Sequence, residues 1–84
     1  MPVNKPEYIS PIKKQRLKLG LTQEALARIL AEMGVHLTRQ EISHYELGRA
    51  NVPANVLKHL DKALDLMDGT LYYELNLKRH GGDD

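Results

Sequence analysis

Residues 21–49, LTQEALARILAEMGVHLTRQEISHYELGR, hold two helix beginnings and two helix endings in one short run. Thr22 precedes QEALARIL and Thr38 precedes RQEISHYEL. A threonine in that position accepts a hydrogen bond from the otherwise unpaired amides of the first turn. Gly34 and Gly48 follow the two runs, at the place where a helix ends on a left-handed residue that only glycine adopts without a steric penalty. The second beginning is held twice over. Glu41 stands three residues after Thr38, which predicts a capping box: the hydroxyl accepts from the Glu41 amide and the carboxylate accepts from the Thr38 amide. Leu37 and Ile42 flank this cap and are expected to pack together as a hydrophobic staple.

The same punctuation extends outward. Ser10-Pro11 opens a helix closed by Gly20, and Pro53 opens ANVLKHLDKALDLM, closed by Gly69. A shorter fifth helix is expected from about Thr70 to Asn76, with Leu71 and Leu75 one turn apart. Apolar residues recur every three or four positions: Ile12 and Leu19; Leu26, Ile29, Leu30 and Met33; Ile42 and Tyr45; Val56, Leu57, Leu60, Leu64 and Met67. No segment alternates with period two, so the expected fold class is all-α, with five helices.

A chain of 84 residues is one domain, close to the lower limit for a self-sufficient core. The domain is expected over residues 9–77, between a flexible N-terminal segment, 1–8, with Pro2 and Pro6, and a flexible C-terminal tail, 78–84, KRHGGDD. With no cysteine, neither disulfides nor a thiolate zinc site is available. MPVNKPEYISP has no basic segment followed by an apolar run, and no stretch approaches the roughly 18 apolar residues of a membrane helix. No membrane partner and a cytoplasmic location are expected.

His36, His44, His59 and His80 are scattered, without a pair at metal-binding spacing, so neither metal nor cofactor is expected. Asp61, Asp65 and Asp68, interleaved with Lys58 and Lys62, suggest a solvated, salt-bridged helix face rather than paired catalytic acids. No strand leads into a glycine-rich phosphate loop, and an enzyme is not expected. Net charge is only +1, but it is unevenly placed. Residues 1–52 carry eight Lys/Arg against five Glu, and residues 53–84 carry four against six acids. A basic front and an acidic back suit a protein that sets one end on a polyanion, and on charge alone equally suit chance asymmetry in a small chain.

With Ile42 and Tyr45 facing inward, the ~100° helical spacing puts Arg39, Gln40, Ser43 and His44 on the outward faces and Arg49 just past the end. None of these is acidic. Arginine and glutamine form paired hydrogen bonds to guanine and adenine edges in the major groove, while serine and histidine add shorter donors. Helix N-termini also favour phosphate. On composition alone an ordinary solvated face is the better reading.

Together, RLKLGLTQEALARIL (16–30) and LTRQEISHYELGR (37–49) resemble the helix-turn-helix family of phage repressors and Cro, the XRE family, over roughly residues 11–76. The carrying features are Arg16 before Gly20, Leu21-Thr22-Gln23, the Leu26-Ala27 pair, and Ile42-Ser43 followed by Glu46 and Gly48. The resemblance implies a compact five-helix lambda-repressor-like DNA-binding domain. Its first motif helix (Gln23 to Met33) would cross the backbone of double-stranded DNA, and its second (Thr38 to Leu47) would lie in the major groove.

It further implies base contacts from Arg39, Gln40, Ser43 and His44 and phosphate contacts from Gln23, Thr38 and Arg49. Arg16 and Glu46 would pair between the first helix and the reading helix, Ala27 would allow a close helix approach, and Glu41 would serve the cap. The chain departs from the pattern by about five extra residues between Ala27 and Thr38, roughly one helical turn. Gln15, at an often apolar position, is a lesser departure.

The implied function is a sequence-specific transcriptional regulator, a repressor, binding a two-fold symmetric operator as a homodimer. Leu71, Tyr72, Tyr73, Leu75 and Leu77 are the candidates for the pairing surface, some of them being needed to cover the core. Two alternatives stand beside this: an antitoxin-type regulator that also binds a toxin protein, and a helical protein-interaction module without DNA binding.

Overall fold

The computed structural model describes residues 9–77, so the readings made for 1–8, for 78–84 and for His80 lie outside the described residues. Five helices and no strand occur among the described residues. They are α1 (Pro11–Lys18), α2 (Gln23–Glu32), α3 (Arg39–Glu46), α4 (Ala54–Ala63) and α5 (Thr70–Tyr72), the last running on into a π-helical turn, Tyr73–Leu77. The chain is all-α.

Hydroxyl caps begin the first three helices. Ser10 Oγ accepts from Lys13 N at 3.1 Å and Thr22 Oγ1 from Ala25 N at 2.9 Å. At α3 the capping box is complete, with Glu41 N donating to Thr38 Oγ1 at 3.0 Å and Thr38 N to Glu41 Oε1 at 2.8 Å.

Four helices end in the same way. A residue of positive φ donates its N–H to the carbonyl three positions back, and the next residue donates to the carbonyl five back: Gly20 and Leu21, Gly34 and Val35, Gly48 and Arg49, Asp65 and Leu66. These paired bonds satisfy carbonyls that the last turn leaves open. Three of the four following residues, Leu21, Val35 and Leu66, pack back onto the core, the usual apolar companion of this ending. Arg49 in the same position is exposed.

The end of α4 corrects the reading of Gly69 as its stop. Asp65 turns the chain at φ 60°, aspartate being among the few side chains that tolerate the left-handed region, and Gly69 becomes the cap before α5. Met67 therefore lies beyond the helix and is 82% exposed instead of joining the apolar stripe. Leu19, past the end of α1, is likewise partly exposed, at 41%. Asp61, Asp65 and Asp68 do not share a solvated helix face either: only Asp61 lies on α4, and it is fully buried.

The core is built from Ile12 of α1, Leu26 and Leu30 of α2, Ile42 of α3, Val56, Leu57, Leu60 and Leu64 around α4, and Leu71 of α5. Helix α3 packs on α1 and α2, α2 also meets α4, and α4 carries α5. Leu71 is buried and Leu75 packs against the core, leaving Tyr72, Tyr73 and Leu77 outside. The extra residues between the motif helices have a packing use. Helix α2 ends at Glu32 with Met33 as its C-cap, and Val35 and Leu37 of the following segment both pack on the core while His36 faces out. Gln15 is also accounted for: its Nε2 donates at 3.0 Å to the Leu64 carbonyl at the C-terminus of α4, a bond that an apolar side chain cannot make.

Candidate nucleic-acid interface

Each of the motif helices presents its N-terminus on one side of the domain. Gln23, first residue of α2, lines an open cleft together with Arg39, Gln40 and Ser43 of α3. An adjoining cleft is lined by Arg16, Thr22, Gln23, Glu24 and Arg39. Four of the residues singled out from sequence thus converge on one surface although 16 to 20 positions separate Gln23 from the others. Arg39 and Gln40 are exposed and Ser43 is half-buried, because Ile42 beside them is driven into the core and the helical spacing turns its neighbours away. His44 is exposed further along the same helix, and Arg49 beyond its end; neither lines the cleft. Thr38 is exposed at the cap with its hydroxyl accepting from Glu41 N.

The cleft rests on a buried polar network. Arg16 Nε donates to Glu46 Oε2 at 2.6 Å and Arg16 Nη2 to Glu46 Oε1 at 3.0 Å, a two-pronged pair in which both side chains are buried. Gln23 Nε2 adds a third donor to Glu46 Oε1 at 3.0 Å, and Arg16 Nη1 donates to the Leu21 carbonyl at 2.8 Å. One carboxylate at the C-terminal end of α3 therefore receives groups from both α1 and α2. A negative charge at a helix C-terminus, out of water, is unfavourable by itself; the planar guanidinium compensates with matched geometry. The network joins α1 and α2 to the C-terminal end of α3. Ala27, half-buried on α2, packs against the same core.

Sequence reasoning missed two contacts here. The amide of Gln23 is engaged by Glu46, which follows from neither residue's local spacing. Glu24, unremarked in the sequence, puts Oε2 3.7 Å from Arg39 Nη1, both side chains being about two-thirds exposed. Its only local signal is an acidic residue in a first helical turn, which the helix dipole favours wherever it occurs. Among the described residues no group of three His, Cys, Asp or Glu is placed to hold a metal ion, and no helix is long and apolar enough to cross a membrane.

Of the known protein families, the helix-turn-helix family matches residues 12–66, from the first turn of α1 to just beyond α4. No curated protein and no solved structure matches the chain.

Proposed function

Since the chain belongs to the helix-turn-helix family of Cro/C1 (XRE) type, and is with it a DNA-binding transcription regulator, we propose that it is a repressor that reads an operator with α3. The carrying observation is the convergence of Arg39, Gln40 and Ser43 with Gln23 on one cleft, over a network that bonds α1 and α2 to α3. In this reading α3 lies in the major groove and α2 crosses the phosphate backbone. Arg39 and Gln40 make the paired contacts to base edges, Ser43 and His44 add single donors, and Gln23, Thr38 and Arg49 hold phosphates. Arg49 suits that role because it takes a position where the other helix endings place an apolar residue against the core.

The operator is two-fold symmetric and the protein binds it as a homodimer, so that the second small interface binds at the high effective concentration set by the first and affinity and specificity rise together. The exposed Tyr72, Tyr73 and Leu77 form the pairing surface, next to the buried Leu71 that roots α5 in the core. Repression then follows from occupancy of the promoter.

Selection from random duplexes, followed by titration of the selected duplex at several salt concentrations, tests this directly. The expected result is a symmetric site whose affinity falls steeply with salt, as counterions are released from phosphates. Arg39→Ala or Gln40→Ala should then cost about 1–3 kcal/mol on that site and relax preference at one base position. Equal loss on every duplex contradicts base reading, and no salt-dependent affinity for any duplex would favour a protein-interaction module.

A further inference from the structure

Glu24 places a negative charge where a DNA-facing surface ordinarily collects positive ones. It is exposed in the first turn of α2, next to Gln23, and its carboxylate lies 3.7 Å from the Arg39 guanidinium across the gap between the two helices. That distance makes an ion pair without a direct hydrogen bond, so the guanidinium donors stay available. Arg16, which lines the same cleft, is already committed to Glu46 and to the Leu21 carbonyl, and Glu46 takes one of the two donors of the Gln23 amide. The cation that Glu24 faces as an ion pair is Arg39.

We infer that Glu24 is a specificity-determining residue that works through Arg39, steadying the guanidinium over the cleft and offsetting its attraction to phosphates away from the proper site. The inference rests on Arg39 being a base reader, as proposed above. The magnitudes favour this division. An exposed ion pair shifts an equilibrium by up to about fivefold, whereas a paired arginine–guanine contact is worth about 5- to 150-fold. A guanine engaged by the free donors leaves Arg39 beside Glu24 and keeps the pair, whereas a phosphate away from the proper site draws the guanidinium off the carboxylate and forfeits up to about fivefold. The carboxylate therefore weakens non-specific binding more than specific binding, and the ratio between them rises.

The test is a double-mutant cycle on the full chain, with wild type, Glu24→Gln, Arg39→Ala and the double variant compared. Each is titrated by fluorescence anisotropy against the selected duplex, against duplexes altered at the position that Arg39→Ala relaxes, and against a scrambled duplex. Circular dichroism melts check that all four are folded. Glu24→Gln should tighten binding to the scrambled duplex about two- to fivefold, steepen its salt slope by up to about one counterion, and lower discrimination at the Arg39 position by a similar factor. In the Arg39→Ala background Glu24→Gln should change none of these. An equal tightening in both backgrounds would mean that Glu24 repels phosphates directly, and it overturns the inference. So does a Glu24→Gln variant with unaltered discrimination. A wild type that prefers some duplex while Glu24→Gln is silent rejects this inference alone, whereas a wild type without any preference rejects the base-reading proposal with it.

Discussion

Two buried carboxylates hold the two ends of this domain, and they are satisfied by opposite means. Glu46 accepts from the side chains of Arg16 and Gln23 and so ties α1 and α2 to the C-terminal end of α3. Among the described residues Asp61 accepts only from backbone: the amide of Gly69 at 2.9 Å and that of Leu71 at 3.0 Å, across the beginning of α5. The first is an ion pair whose partners must be a particular acid and a particular base. The second is a helix cap supplied from another helix, and any two non-proline residues could donate it. Cap Gly69 has no side chain, and α5 has no hydroxyl or amide cap of its own, so Asp61 does for α5 what Thr22 and Thr38 do for α2 and α3. The side-chain network joins three helices at the end of α3. The backbone cap seats the short helix that carries Tyr72, Tyr73 and Leu77.

Breaking the first anchor should have the largest effect. Glu46→Ala leaves the Arg16 guanidinium buried without its charge partner and should lower stability by about 3–5 kcal/mol in urea unfolding. An apolar pair, Arg16→Met with Glu46→Leu, should recover most of that loss while leaving α3 less sharply oriented, seen as weaker discrimination between duplexes at near-normal stability. Recovery of both together would mean that the network does not aim the helix.

Asp61→Ala should come next, at about 2–4 kcal/mol, because two amides lose their acceptor in the interior. Hydrogen exchange separates the two anchors: Asp61→Ala should expose first the amides of residues 69–77, and Glu46→Ala those where α1, α2 and α3 meet. The same exchange pattern in both variants would mean that the two ends unfold as one. The smallest effect is expected at the turn below the second anchor. Asp65→Gly removes a side chain from a backbone at φ 60° and should raise the melting free energy by up to about 1 kcal/mol.

The contrast also explains what could be read beforehand. Caps at Ser10, Thr22 and Thr38, glycine endings at 20, 34 and 48, and the inward stripe of Leu26, Leu30, Ile42, Leu57 and Leu60 all depend on residues within one or two turns of each other. Arg16 and Glu46 lie 30 positions apart, and they were legible only because a known family pairs residues at those places. Asp61 left no such trace. In the sequence it sits between lysines like any surface acid; it is buried because the chain reverses at Asp65 and brings the start of α5 back over it. The aspartate at 65 concealed that reversal, since glycine at 69 was the stronger stop signal.

What the sequence determined by itself was the set of helices, most of their inward faces and the outward residues of α3, since these follow from interactions between near neighbours along one chain segment. Tertiary structure alone decided which separate segments share a surface: Gln23 beside Arg39, Gln40 and Ser43, Glu24 across from Arg39, and Asp61 beneath α5. Those meetings depend on how helices pack and where the chain turns. Their donors include backbone amides that every residue but proline carries, so no residue type announces them.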